Sequence, residues 1–309
     1  MSTRSQPLRV ETPDIASLGT SRTINSLLWF VNNPILTDNM LGYLAKYQDK
    51  HQVKLYAFNI QGNHYHLNAQ FPNSNRSAFY RDFNARTAEA VRIDVHQFPG
   101  GPVFARRFSA QVLLLPEDVE DYFFYCALQP VQAGLCARLS DYPGYNSFHD
   151  AIHDIRRKRK VVNWAKYKAH KRYNPNVSIA EFTVEYELRY SRLPGYEHLS
   201  QKEYARQMLE KLEKRRIALV TKMKQEGHRF LTKEELRKIL PGTAPHNTKK
   251  GTRRPIVLSV SPEAKQKFLE WYFGIVASYR LASKKYLAGD PLVEFPPYTY
   301  KPPGPYVPP

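Results

Sequence analysis

The stretch VKLYAFNIQGNHYHLNAQF, residues 53–71, carries the pattern that decides the fold. Two runs with strand character, VKLYAFNI (53–60) and HYHLNAQF (64–71), are separated only by the short turn QGN. Such a pair predicts an antiparallel β-hairpin. Because alternate residues of a strand point to the same face, the second strand would present His64 and His66 side by side.

Outward from this hairpin, the first half of the chain alternates between strand and helix patterns. Strands are predicted over INSLLWFVN (24–32) and PVFARRFSAQVLLL (102–115). Helices are predicted over 36–50, with Asp38 as its cap, over 77–93, and from Pro116 onward. The order β-α-β-β-α-β followed by a helix predicts an α+β fold with a ferredoxin-like antiparallel sheet, in a domain spanning 1–150. That fold serves many functions and does not by itself choose one.

The second half reads as a mainly helical, basic extension over 151–290. Helices are predicted over 150–174, 201–225 and 262–286, with a basic loop, KKGTRR, at 249–254. The remainder, 291–309, is rich in proline, and its end FPPYTYKPPGPYVPP is expected to be extended on the surface or mobile.

Composition excludes several classes of protein. The two cysteines, Cys126 and Cys136, form neither a CxxC motif nor a disulfide framework, which fits a reducing compartment. The first 25 residues lack the apolar core of a secretion signal, and no apolar run reaches the roughly 20 residues of a membrane span. We therefore expect a cytoplasmic protein with no membrane partner.

The charge of the chain is unevenly distributed. Residues 1–150 contain 13 Lys and Arg against 13 Asp and Glu, whereas residues 151–309 contain 33 against 15, so the net charge of +18 lies in the second half. A neutral half joined to a strongly basic half indicates a catalytic or folded unit with an attached region that binds a polyanion. Nucleic acid is the expected partner, although a merely solvated basic surface would have the same composition.

The two histidines could hold one divalent ion, but an HxH pair alone is weak evidence. A second pattern strengthens it: in YCALQPVQAG (125–134), Tyr125 and Gln129 are one helical turn apart. Pro130 is expected to kink or end the helix at Gln129. The Gln129 amide oxygen could then serve as a third ligand, with the Tyr125 hydroxyl close by.

Together these motifs resemble the single-tyrosine HUH transposases, in particular the REP-associated tyrosine transposases of bacteria. The resemblance covers about 24–150 and is carried by NHYH (63–66), VFARRF (103–108), YCALQPVQAGL (125–135) and DYPGYNSF (141–148). It implies an HUH nuclease core with His64, His66 and Gln129 as ligands of Mg²⁺ or Mn²⁺ and Tyr125 as the nucleophile. The implied substrate is single-stranded or hairpin DNA with REP-like repeats, handled by a nucleoid-associated monomer or homodimer.

The chain departs from that family at two places. The REP-associated branch mostly has Asn where this chain has Gln129, whereas related insertion-sequence transposases have Gln there, so the ligand role is compatible with the change. The usual tryptophans of the segment after the helix are replaced by Tyr142 and Tyr145.

Several residues have competing interpretations. Tyr122 lies one turn before Tyr125 and is an alternative nucleophile by geometry. Tyr65 points away from the histidines and is expected in the core. His96 precedes a glycine-rich turn and is expected to be structural or exposed rather than a ligand. Arg106 and Arg107 would lie on opposite faces of a strand, where one of them contacts a DNA phosphate.

The best candidate for the DNA-binding surface is a basic run with the aromatic residues that follow it. The run consists of Arg156, Arg157, Lys158, Arg159 and Lys160. Cations bind phosphates and rings stack on unpaired bases.

Three functions are compatible with these observations. The first is a metal-dependent single-strand DNA transposase that acts through a 5′-phosphotyrosine. The second is a domesticated hairpin-DNA-binding regulator with little catalysis, and the third is a rolling-circle or relaxase-type nickase. The nickase is less favoured, because Gln129 stands where a second catalytic tyrosine would follow Tyr125 in a YxxxY pattern and because no helicase domain is recognised in the sequence.

Overall fold

A computed structural model of the chain describes residues 7–245 and 254–304. Its strands are β1 (Ala16–Arg22), β2 (Lys54–Ile60), β3 (His64–Gln70), β4 (Ser109–Leu113), β5 (Arg157–Val162), β6 (Thr183–Leu188) and β7 (Val257–Leu258). Its α-helices are α1 (Pro34–His51), α2 (Arg76–Asp94), α3 (Pro116–Gln132), α4 (Phe148–Ile152), α5 (Trp164–Lys171), α6 (Gln201–Gln225), α7 (Lys233–Arg237) and α8 (Pro262–Leu287).

The α+β class is confirmed by a five-stranded sheet with the order β2-β3-β1-β4-β7. All of its neighbouring strands are antiparallel except β4 and β7, which are parallel. The predicted hairpin is present as β2 and β3, and the helices predicted over 36–50, 77–93, 201–225 and 262–286 are present as well. The cap of α1 is Asn33, whose side chain accepts from the Leu36 amide, rather than the predicted Asp38.

The two faces of β3 look into different environments. On one face, Tyr65 is fully buried, and its hydroxyl bonds to Ser21 and to Asn84 of α2. On the other face, His66 contacts Tyr125 of α3, and the Asn68 amide donates to the Val119 carbonyl of the same helix. Alternation along one strand therefore separates the core from the candidate site. Tyr65 is confirmed as a core residue.

The strand predicted over 24–32 is wrong. Residues Ile24–Ser26 form a 3₁₀ turn, and Asn25, Ser26 and Asn32 have positive φ angles that are incompatible with a strand. Trp29 and Phe30 are buried within a loop, so the apolar character of this stretch reflects burial and not a strand. The actual strand β1 lies upstream, in the sequence ASLGTSR, whose small and polar residues give little strand signal.

The strand predicted over 102–115 is much shorter than expected. Phe104 bridges to Thr23, and regular pairing resumes at Ser109 opposite Thr20. More residues lie between 104 and 109 than between 20 and 23 on the partner strand. The chain therefore loops out between these two paired points. Arg106 and Arg107 are exposed in this loop, so the argument from opposite strand faces does not apply to them.

The continuous basic helix predicted over 150–174 is also wrong. This segment forms α4, then β5, then α5, and β5 pairs with β6 in a separate two-stranded sheet. The pairing places cations opposite acids: Arg156 and Lys158 form ion pairs with Glu187 and Glu185 of β6. Val161 is buried in the same strand, which favours β structure over a solvated helix.

The second half of the chain packs against the first through several elements. Strands β5 and β6 lie against α1, helix α6 lies against α3, and β7 extends the main sheet beside β4. The proline-rich end contains a turn at 297–298 and is docked on the protein over 295–304: the Glu11 amide donates to the Tyr298 carbonyl, and Tyr300 donates to Glu11. Of the predicted basic loop, residues 249–253 lie outside the described residues. Across the described ranges, none of the helices is both long and apolar enough to cross a membrane.

Gly19 provides a test of the central packing. A Cβ atom added there would lie 1.6 Å from the Tyr80 hydroxyl, and Tyr80 is itself stacked on Phe108 at 4.0 Å and fully buried. We expect Gly19→Ala to lower the free energy of unfolding by about 2–3 kcal/mol through overpacking. Gly274→Ala on α8, where the added Cβ meets no atom within 4 Å, should be neutral or stabilising by about 0.5–1 kcal/mol. Urea denaturation measures both, and equal effects would contradict this account of β1.

Candidate active site

The two candidate ligands of β3 are held in defined orientations by their neighbours. The Nδ1 atom of His64 is 2.6 Å from Asn63 Oδ1, and the Nδ1 atom of His66 is 3.0 Å from Thr20 Oγ1 on β1. The ring centroids of the two histidines are 4.8 Å apart. With Nδ1 occupied in both rings, Nε2 is the nitrogen left to bind a metal, and such outer hydrogen bonds commonly orient metal-binding histidines.

Helix α3 brings the predicted nucleophile and the third ligand to the same place. The Tyr125 ring lies 5.4 Å from the His66 ring, centroid to centroid. The Gln129 side chain is buried, and it lies close enough to His66 and Tyr125 to influence the pKa of both. Its amide nitrogen also donates to Gln132 Oε1 at 2.9 Å. The structure therefore gathers His64, His66, Tyr125 and Gln129 at one point.

The helix does not end at Gln129, which was one of the two outcomes predicted from Pro130. It runs through the proline to Gln132, and the chain turns at Gly134, which has a φ of +70°. The proline occurs in the last turn, where only a few helical hydrogen bonds remain to be lost. Gln129 consequently reaches the site from within a helix.

Of the two alternative residues, one lies beside Tyr125 and the other lies away from the site. Tyr122 packs on Tyr125 with ring centroids 5.5 Å apart, whereas the ring contact to His66 is made by Tyr125. His96 is exposed in the turn after α2. The geometry thus favours Tyr125 over Tyr122 as the tyrosine nearest the histidine pair.

Three arginines from distant parts of the chain surround this site. Arg22 lies opposite His64 in the β1–β3 register, and the charges of Arg22 and Arg254 act on both His66 and Tyr125. Burial lowers the pKa of Arg22 and of Arg254, and repulsion from Arg106 lowers both further. Within the described residues, none of the three forms an ion pair with a carboxylate. The positive charge of this cluster is not balanced by a carboxylate within the described residues, so the cluster would attract an anion.

Sequence reasoning missed Arg22 and Arg254. Arg22 ends a strand whose composition gave no strand signal, and Arg254 was noted only as part of a basic loop. Arg22 could have been identified if the pairing of β1 with β3 had been predicted, because that pairing places Arg22 opposite His64.

The titration behaviour of the site follows from its burial and its positive surroundings. Burial, with the charges of Arg254 and Arg22, lowers the pKa of His66 to about 3, and burial with the neighbouring His66 holds the pKa of His64 well below its usual value. Both rings are therefore neutral at physiological pH, which is the state that binds metals. Burial and the neighbouring Cys126 raise the pKa of Tyr125, while Gln129, Arg254 and Arg22 oppose that increase.

The donor set fits a divalent cation only as part of a coordination shell. Oxygen ligands suit Mg²⁺ or Mn²⁺, whereas the two neutral imidazoles shift the intrinsic affinity toward Mn²⁺ and the later transition metals. No group of three or more His, Cys, Asp and Glu that could hold a metal occurs in residues 7–245 and 254–304. His64, His66 and Gln129 carry no negative charge and lie beside the positive charges of Arg22 and Arg254, so they do not complete a coordination shell by themselves.

The other DNA-binding candidates are differently placed. The charge of Arg106 acts on Arg22 of the candidate site, whereas the charge of Arg107 acts on Arg9. In the run 156–160, four of the five cations form ion pairs: Arg156 with Asp154 and Glu187, Arg157 with Asp150, Lys158 with Glu185, and Arg159 with Asp38. A role of this run in DNA binding stays a prediction, and it would require exchange of these partners.

Comparison with known proteins finds a distant structural similarity and no match in sequence. A scan against protein-family models finds no match, and a search of curated proteins finds no significant relative. Among solved structures, that of a REP-associated tyrosine transposase bound to a REP hairpin aligns at 17% identity with a TM-score of 0.38. The alignment covers 48% of this chain and 84% of that chain, and a TM-score this low does not support an argument about function.

The buried state of His66 predicts a pH-dependent stability. The unfolded chain binds a proton at this histidine near pH 6.5, whereas the folded protein resists it down to about pH 3. The stabilisation is therefore complete above pH 6.5 and decreases as the pH falls toward 3. Between pH 7 and pH 5, His66 should account for a loss of about 2 kcal/mol in the free energy of unfolding. Urea denaturation of wild type and His66→Asn, in EDTA, measures it, and an equal pH dependence of the two proteins would contradict the burial argument.

Proposed function

We propose that this protein is a metal-dependent single-strand DNA transposase that cleaves and rejoins hairpin-bearing DNA through Tyr125. The observation that carries the proposal is the convergence of Tyr125, His64, His66 and Gln129. These residues come from a strand and a helix separated by more than fifty positions in the sequence. A tyrosine beside two neutral imidazoles, within a cluster of arginines, has the parts required for phosphodiester transfer.

The proposed reaction is an in-line displacement at phosphorus. The Tyr125 hydroxyl releases its proton to solvent, and its oxygen forms a bond to phosphorus as the bond from phosphorus to the 3′-oxygen breaks. This leaves a 5′-phosphotyrosine and, after the departing oxygen takes up a proton, a free 3′-hydroxyl. The covalent link conserves the energy of the cleaved bond, so a second 3′-hydroxyl can reverse the step and rejoin the strands.

Tyr125 requires activation at neutral pH. A free tyrosine has a pKa near ~10, and burial raises the pKa of Tyr125 above that value. When bound at His64, His66 and Gln129, Mg²⁺ or Mn²⁺ would supply positive charge at the scissile phosphate. Arg22 and Arg254 favour the phenolate of Tyr125 and would also hold the phosphate close to it.

The arginine cluster offers a binding site for the scissile phosphate. The charge of Arg106 lowers the pKa of Arg22, and the charges of Arg106 and Arg22 lower the pKa of Arg254, so these cations repel one another. A phosphate placed between them would relieve this repulsion and gain charge-assisted hydrogen bonds. DNA binding and completion of the metal shell would then favour each other.

Two structural parts of the proposal follow. We interpret the strand order β2-β3-β1-β4 as the ferredoxin-like core of an HUH nuclease, with the histidine pair on β3. The basic second half would hold the hairpin and its single-stranded flanks, consistent with a cytoplasmic, nucleoid-associated protein acting on REP-like repeats.

Tyr125→Phe tests the nucleophile. We expect the covalent protein–DNA adduct to disappear while hairpin affinity changes by less than a few fold, because the hydroxyl contributes little to ground-state binding. Tyr122→Phe is the matched control, since its ring packs on Tyr125 from the neighbouring turn. A denaturing gel with labelled hairpin DNA and Mn²⁺ measures the adduct. Loss in Tyr122→Phe with retention in Tyr125→Phe would move the nucleophile by one turn.

The metal requirement is tested separately. EDTA should abolish adduct formation and Mn²⁺ or Mg²⁺ should restore it, whereas His64→Ala and His66→Ala should stay inactive in either ion. Each substitution removes one imidazole from a set that has only two. Hairpin binding of both variants serves as the control for folding. Full activity of wild type in EDTA would exclude the metal role of the histidine pair.

A further inference from the structure

A cleft of about 530 Å³ opens directly beside Tyr125. One wall is α3, through Tyr122, Tyr125 and Leu128, and the facing wall is α6, through Ala218 and Leu219. The segment from Pro255 to Val260, which includes β7, closes a third side. Two of these walls belong to the second half of the chain, so the cleft is not a property of the sheet and α3 alone.

The cleft is connected to the candidate site by shared residues. Tyr125 belongs to both, and Gln132 of the cleft accepts a hydrogen bond from Gln129 at 2.9 Å. Arg254, whose charge acts on Tyr125, immediately precedes the wall residue Pro255. A DNA strand with its phosphate at the arginines would therefore have its neighbouring nucleotide next to this opening.

The lining has the chemistry of a nucleobase site. Tyr122, Leu128 and Leu219 offer flat or apolar surface, whereas Asp121 and Arg215, paired at 2.6 Å, offer an acceptor and donors for the polar edge of a base. The exposed Lys265 lies at the same opening and could meet a backbone phosphate. Stacking surface, polar edge groups and a peripheral cation together match an unpaired nucleotide.

We infer that this cleft binds one unpaired base of the single-stranded DNA that flanks the phosphate attacked by Tyr125. The inference rests on the proposed function and adds to it a source of sequence preference at a single flank position. The volume is ample for one base and its sugar and lies within the usual range for small-ligand pockets. Elements outside the sheet would in this way help to select the cleavage site.

Ala218→Trp is designed to fill the cleft from an exposed position of α6, and Ile217→Trp, at the next exposed position outside the lining, is its matched control. The DNA is a hairpin with a single-stranded flank, carrying one abasic site at each flank position in turn. Fluorescence anisotropy in EDTA measures binding without cleavage.

With wild type and Ile217→Trp, one abasic position should weaken binding about tenfold, within the range for loss of one stacked base. Ala218→Trp should bind intact DNA about tenfold more weakly and should be insensitive to that abasic site, while its affinity for a hairpin without a flank stays unchanged. Equal affinity for all abasic substrates, or retained sensitivity in Ala218→Trp, would overturn the inference and leave a different occupant for the cleft.

Adduct formation on the same substrates distinguishes the two proposals. An adduct that depends on Tyr125 but on no single base would leave the catalytic proposal standing and remove the base site. One sensitive position without any adduct would do the reverse, leaving a protein that reads a base but does not cleave.

Discussion

The pairing of β3 with β1 is the constraint on which both the core and the candidate site depend. It places Thr20 opposite His66 and Arg22 opposite His64, so one strand pairing sets the hydrogen-bond partner of one histidine and a cation beside the other. The same register turns Tyr65 to the other face, where it is fully buried against Ser21 and Asn84. A shift by one residue would exchange the two faces and bury the imidazoles among aromatic rings. Burial of Tyr65 on the opposite side of the sheet therefore helps to fix the register that forms the site.

How far the sequence could predict this arrangement depended on the strength of local signals. The β2–β3 hairpin and helices α1, α2, α6 and α8 have clear periodicity, and they were found. Strand β1 was missed because Gly19 and its small neighbours are selected by the close approach of Tyr80, a tertiary contact that no local propensity encodes. The apolar run 24–32 was mistaken for a strand because burial in a loop and burial in a sheet give the same composition.

The site could be predicted in part for a related reason. The histidines share one strand, and Tyr125 and Gln129 share one helix, so each pair has a fixed spacing that can be read locally. Arg22 and Arg254 are separated from them in sequence and are brought in only by strand pairing and by the segment that leads into β7. Charge counting located the basic half of the chain but could not locate free charge, because most cations of 156–160 are already paired with carboxylates.

The difference between net charge and available charge determines what each half of the chain would contribute to phosphate binding. A cation that already has a carboxylate partner must exchange it for a phosphate, and the gain is then small in water. Arg22, Arg106 and Arg254 have no such partner among the described residues and repel one another, so an incoming phosphate gains their attraction without that exchange. Two of these arginines come from the first half, and the third comes from the segment that also walls the cleft beside Tyr125. In the proposed function, the second half therefore contributes to the chemistry as well as to affinity, since it supplies part of the phosphate site and the surfaces that would hold the adjoining base.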